Sequence, residues 1–187
     1  IANDQHRFRV AVCGRRFGKT HLAIRELCKF AREPERRCWY IAPSYRMAKQ
    51  IAWTKLKKKL ISLNWVKKIN EQELLITLIN DSEIALRGAD NYDSLRGVGL
   101  DFLVMDEFAD IDVEAWTEVL RPTLSDRQGA ALFISTPKGI NNWSYELYLN
   151  YLENPDWKSW QFTTLAGGRV PPEELEAARK DLDTRTF

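Results

Sequence analysis

Three short stretches of the 187-residue chain combine residue types that can act together on a phosphoanhydride. The first is Cys13-Gly14-Arg15-Arg16-Phe17-Gly18-Lys19-Thr20. Gly14 and Gly18 permit backbone conformations that let main-chain N–H groups converge on an anion at a helix N-terminus. Lys19 adds a full positive charge, and Thr20 offers a hydroxyl to Mg²⁺. The G-x-x-x-x-G-K-[ST] spacing puts its first glycine at position 13, where this chain has Cys13, with Gly14 one residue late. Alone the triplet is a weak signal; its context strengthens it.

The second stretch is Phe102-Leu103-Val104-Met105-Asp106-Glu107, an apolar run ending in two carboxylates. At the rim of a sheet beside the phosphate loop, Asp106 would hold the Mg²⁺ that bridges the β- and γ-phosphates. Glu107 would orient and deprotonate the attacking water. An acidic pair implies hydrolysis, whereas a lone Asp leaves simple nucleotide binding open. The third stretch, Phe133-Ile134-Ser135-Thr136-Pro137, brings hydroxyls to the same rim. Ser135 and Thr136 either sense the γ-phosphate and couple hydrolysis to motion, or cap the helix after Pro137.

Charge developing on the γ-phosphoryl group calls for a cation beyond Lys19. Arg96, in the loop Asp93-Ser94-Leu95-Arg96-Gly97, is the first candidate, with Arg121 and Arg127 as alternatives. Arg15 and Arg16 pair with carboxylates or a phosphate, or are simply solvated.

These groups need a scaffold. The apolar run before Gly14 predicts a central parallel strand over 9–12, followed by a helix over 19–32 ended by Pro34. Cys38–Ala42 predicts a second strand, after which Ser44 or its neighbour caps a helix with Met47, Ile51, Leu56, Leu60 and Leu63 as its buried stripe. Its other face carries Lys55, Lys57, Lys58 and Lys59, read as solvated in preference to a nucleic-acid contact. Residues 73–79 and 83–87 predict a hairpin and 100–105 a buried strand. A helix marked by Ile111, Ala115, Trp116, Val119 and Leu120 is expected to stop at Pro122. Further elements are expected at 130–134 (strand), 141–152 (helix), 157–163 (strand) and 171–182 (helix). Strands alternating with helices give an α/β fold with a mostly parallel sheet flanked by helices. A strand intervening between the phosphate loop and the Leu100 strand points to the additional-strand division of P-loop NTPases.

Composition adds bounds. A 44% hydrophobic chain of this length suits one domain over 1–187, and its abrupt ends suggest excision from a longer protein. The net charge of +2 neither demands nor excludes nucleic acid. Three cysteines without metal-ligand spacing suit a reducing compartment. No run approaches a membrane span, so a soluble protein without membrane partners is expected.

Taken together, the motifs resemble the N-terminal ATPase domain of the large terminase subunit of tailed bacteriophages. Gly14–Thr20 is similar to its arginine-bearing Walker A loop, and Ala42-Pro43-Ser44-Tyr45-Arg46-Met47-Ala48-Lys49-Gln50 to the segment after its second strand. Leu95-Arg96-Gly97, Val104-Met105-Asp106-Glu107, Leu120-Arg121-Pro122 and Ser135-Thr136-Pro137-Lys138-Gly139 complete the order. The resemblance implies a Mg²⁺-dependent ATPase that drives double-stranded DNA into a procapsid from a homo-oligomeric ring. It implies portal protein and small terminase subunit as partners, and the cytoplasm of an infected bacterium as location. It also implies coupling through Ser135-Thr136-Pro137 and a trans-acting finger at Arg96. The family's C-terminal nuclease domain has no counterpart here, so no nuclease activity is expected. A helicase-like translocase and a non-hydrolysing nucleotide-binding module are the alternatives.

Overall fold

The computed structural model describes residues 1–150, 154–164, 166 and 173. The expected helix over 171–182 lies outside the described residues. Eight strands form one sheet in the order β3-β4-β5-β2-β6-β7-β1-β8. They are β1 (Phe8–Cys13), β2 (Arg37–Ala42), β3 (Val66–Asn70), β4 (Leu75–Leu78), β5 (Glu83–Gly88), β6 (Phe102–Asp106), β7 (Ala130–Ser135) and β8 (Trp157–Phe162). From β5 to β8 all pairings are parallel, and β3 and β4 extend one edge in antiparallel fashion. This is the expected P-loop α/β architecture of the additional-strand type.

One expectation needs correcting. The strand inserted between β1 and β6 is β7, not the Cys38–Ala42 strand that intervenes in sequence. β2 instead flanks β6 on its far side, with Tyr40 opposite Val104. The inserted strand therefore delivers Ser135 between the phosphate loop and Asp106, which a strand at the β2 position does not do. A second strand-level difference is β3, not expected from sequence. Val66-Lys67-Lys68-Ile69-Asn70 lacks apolar alternation because it is an edge strand with an irregular register against β4.

Alternating side chains feed two cores, one on each face of the sheet. Ala11, Cys13, Cys38, Tyr40, Val104 and Ile134 meet α1 (Lys19–Phe30) and the helix over 45–62 on one face. Val10, Ile41, Met105 and Phe133 meet the helix over 113–123 and α5 (Trp143–Asn150) on the other. The first face also holds a buried ion pair, Arg9 Nη1 to Glu26 Oε2 at 2.6 Å, which ties β1 to α1 on either side of the phosphate loop.

Two helices contain wide turns. The helix over 45–62 is α2 (Tyr45–Ala48), a π-helical turn Lys49–Trp53 and α3 (Thr54–Ser62). The extra residue shifts its buried side to Ala48, Ala52, Trp53, Leu56 and Leu60, with Met47, Ile51 and Leu63 only half-buried. The five-residue gap between Ile51 and Leu56 was the trace of that turn in the sequence. Ser44 caps the helix, its Oγ accepting from Met47 N at 3.2 Å. The second helix ends one residue after Pro122, as expected: a π-helical turn Ala115–Leu120 leads into α4 (Arg121–Thr123).

Candidate active site

β1 ends at Cys13, and the chain turns through Gly14–Gly18 into α1. Arg16 (φ 58°) and Gly18 (φ 105°) adopt left-handed conformations, the kind of backbone from which anion-binding nests are built. Cys13 is not among the left-handed residues, and its side chain is fully buried in the core. A glycine is therefore not required at position 13, and burial pushes the Cys13 thiol up to about 11, so it stays neutral. Gly14 is required for packing: a Cβ there would sit 2.3 Å from Thr164 Oγ1 and 2.4 Å from Thr164 N. The loop also leans on β8 through Gly14 N, which donates to Phe162 O at 2.9 Å, and through Phe17, stacked on Phe162 at 4.9 Å.

Lys19 Nζ lies 3.3 Å from Cys13 O and 3.4 Å from Gly14 O, folded back over the loop. It also stands 3.7 Å from Glu107 Oε1. Thr20 follows it in the first turn of α1. Arg15 and Arg16 are exposed, and among the described residues neither has an ion pair.

Asp106, 2% exposed at the end of β6, is held by both oxygens. Tyr40 on β2 donates its hydroxyl to Oδ2, and Glu107 N donates to Oδ1 at 3.0 Å. Burial outweighs these bonds and, with the neighbouring Glu107 charge, raises the Asp106 carboxyl to about 6. Tyr40 was missed in the sequence, although a tyrosine within an otherwise apolar buried strand needs a partner for its hydroxyl.

Glu107 turns out of the strand in a left-handed conformation (φ 49°). Its Oε2 accepts from Thr136 N at 3.2 Å, Thr136 Oγ1 at 3.1 Å and Ser135 Oγ at 3.3 Å, all at the end of β7. Its other oxygen faces Lys19. The helix-capping reading of Ser135 and Thr136 is thus corrected: α5 is preceded by Asn142, whose Oδ1 accepts from Ser144 N at 2.9 Å. Pro137 follows directly, and Lys138 pairs with Asp110 at 3.1 Å.

The three candidate arginines lie in different places. Arg127 donates to Asp101 at 3.1 Å, beside Arg36 at 2.7 Å, where β6 begins and so at the edge opposite Asp106. Arg121 covers the ring of Phe8 at the start of β1, 4.9 Å from its centroid, also at that opposite edge. Arg96, half-exposed, follows a 3₁₀ turn Tyr92–Leu95 and meets Asp93 at 2.9 Å and Glu118 at 3.6 Å.

Among the described residues no three His, Cys, Asp or Glu side chains are grouped to hold a metal. The residues that would hold a metal here are Asp106 and Thr20, a carboxylate and a hydroxyl. That set fits Mg²⁺, which keeps waters and arrives with nucleotide phosphates in place of an all-protein cage.

The family described as terminase large subunit, T4-like-virus type, N-terminal, matches residues 10–184. The chain belongs to this terminase family. The large terminase subunit of Thermus phage G20c is 37% identical over 161 residues, covering 75% of this chain and 33% of that protein. That of Escherichia phage T5 is 32% identical over 192 positions, covering all of this chain and 43% of that protein. The terminase chain described here thus spans less than half the length of these relatives. The large terminase ATPase domain of Thermus phage P74-26 superposes with a TM-score of 0.86 at 27% identity, covering 99% of this chain and 87% of that one. The large terminase of another thermophilic bacteriophage, in complex with ATP-γ-S, shares the fold, with a TM-score of 0.79 at 17% identity over 95% of this chain and 45% of that one. The family match favours the terminase resemblance over the helicase alternative. Among the described residues no helix of this terminase chain is long and apolar enough to cross a membrane.

Proposed function

We propose that this chain is the ATP-hydrolysing motor part of a large terminase, driving double-stranded DNA into a procapsid. The observation that carries the reading is the placement of Glu107 between Lys19 and the β7 hydroxyls, with Asp106 one residue before it. Arg15–Lys19 would bind the phosphates through N–H groups and the lysine charge, the Gly14 N–H being held by Phe162 O. Asp106 and Thr20 would hold Mg²⁺, which when bound neutralises charge on the β- and γ-phosphates. Glu107 would take a proton from the attacking water, the role for which an acidic side chain at this rim is suited.

Thr136 and Ser135 orient the Glu107 carboxylate, so any shift of the β7 end on phosphate release is felt by the base, and the reverse. This is the physical content of a coupling role for Ser135-Thr136-Pro137. Arg96 remains the finger candidate, reaching a neighbour's site within a homo-oligomeric ring. Exposed ion pairs such as Arg96–Asp93 and Arg96–Glu118 are weak enough to exchange for a phosphate. Portal protein, small terminase subunit and host cytoplasm belong to the same reading, by kinship with packaging terminases.

The test is phosphate release from ATP by the purified chain with Mg²⁺. Turnover that is lost in Lys19→Ala supports the reading. Turnover undiminished in that variant would reject the site.

A further inference from the structure

We infer that the outer face of the helix over 45–62, centred on Lys55, Lys58 and Lys59, grips the phosphate backbone of double-stranded DNA; this rests on the proposed motor function. The chain as a whole is nearly balanced, with 28 basic and 26 acidic residues. Residues 45–62 hold Arg46, Lys49, Lys55, Lys57, Lys58 and Lys59 and no Asp or Glu, which leaves the rest of the chain net negative. Charge is therefore segregated onto one element.

The structure shows which of these charges are available. Leu56 and Leu60 are fully buried, so at 3.6 residues per turn Lys55, Lys58 and Lys59 point away from the core, and all three are exposed. Lys57 is spent on Glu71 at 2.5 Å. Among the described residues Lys55, Lys58 and Lys59 have no ion pair. A merely solvated helix face interleaves acids with bases, because like charges three and four residues apart destabilise the helix by a few tenths of a kcal/mol each. Lys55 stands at both spacings, to Lys58 and to Lys59, with no acid between them to relieve the repulsion.

The residue types select the partner. Lysines are compact point charges without the planar fork of arginine, which suits contact with phosphates at any sequence. Lys55 to Lys59 spans about 6 Å of helix axis, while a duplex presents one charge per about 1.7 Å. No aromatic side chain lies within Thr54–Ser62, so the stacking that single strands use is missing from this face. Within Thr54–Ser62 the apolar stripe is spent on the core, with only Ile61 exposed, which disfavours insertion into a lipid surface. The face is also joined to the site: β2 carries Tyr40 against Asp106, and after Ala42 the chain enters this helix at its Ser44 cap.

The experiment is fluorescence anisotropy of a labelled random-sequence 30-base-pair duplex titrated with the chain across a range of salt, in parallel with binding of a fluorescent ATP analogue. The K55Q/K58Q/K59Q variant is expected to lower the slope of log affinity against log salt by about 3, with analogue binding unchanged. The K55R/K58R/K59R variant is expected to keep the wild-type slope. Wild-type slope in the glutamine variant would overturn this inference and leave the motor function standing, with DNA held elsewhere. Wild-type protein that binds no duplex would overturn the inference together with the DNA-translocation reading.

Discussion

Thr136 holds Glu107 twice, through its amide at 3.2 Å and its hydroxyl at 3.1 Å to the same carboxylate oxygen. The candidate base is thereby fixed by the strand inserted between the phosphate loop and Asp106. Thr136→Val removes the hydroxyl and retains the amide. A lost hydrogen bond to a charged group is worth about 1.5–3 kcal/mol, so kcat should fall on the order of 10-fold or more while ATP affinity stays constant. Steady-state ATPase kinetics check this, and an unchanged kcat would remove Thr136 from the positioning role.

Asp106 gives a pH-dependent signature. Its folded pKa of about 6 lies above the ordinary 3.8, so between these values the native state binds more protons than the unfolded one. Stability therefore falls as pH rises through that window, and the full penalty is present above it. In the absence of divalent cations, Asp106→Asn should stabilise the fold at pH 7.5 by an amount on the order of 3 kcal/mol, seen as a higher Tm. The gain should fade as pH falls to 4. Thermal melts of both proteins in EDTA across this range would show it; a gain independent of pH would contradict the shift.

Gly14 makes a purely steric prediction. An alanine Cβ would collide with backbone as well as side-chain atoms of Thr164, so β8 and the loop must move apart. Overpacking of this kind costs about 1–3 kcal/mol, or on the order of 5 °C in Tm. Gly14→Ala should also bind ATP more weakly than Cys13→Gly, whose backbone needs no special conformation. Calorimetric melts and nucleotide titration of the two variants compare them directly.

Arg96 is tested by complementation. If it acts on a neighbour's nucleotide, Arg96→Ala and Glu107→Gln subunits, each inactive, should regain partial ATPase activity when mixed. Arg121→Ala and Arg127→Ala should not complement in this way, because those side chains sit at the opposite edge of the sheet. No recovery in a verified mixed oligomer would dismiss Arg96.

Much of this was legible in the residues. The phosphate loop, Asp106-Glu107 and Ser135-Thr136 are strand-end motifs, and parallel strands bring their C-terminal ends to one rim. What stayed hidden depends on strand order and on partners distant in sequence. Nothing local says that β7, and not β2, enters between β1 and β6, so the bond from Thr136 to Glu107 could not be read. The buried pair Arg9–Glu26 was signalled only by a charge within an apolar strand and another on the apolar side of a helix. β3 escaped because edge strands need not alternate.

The role of Glu107 is central, and Glu107→Gln is nearly isosteric and keeps one side-chain oxygen for Thr136. The decisive measurement is single-turnover ATP hydrolysis by this variant at saturating nucleotide, with binding of a fluorescent ATP analogue followed on the same sample. Binding within about 2-fold of wild type with hydrolysis reduced at least about 100-fold is the predicted result. Hydrolysis at the wild-type rate would show that Glu107 is not the base and that the contacts from Lys19 and Thr136 serve another purpose.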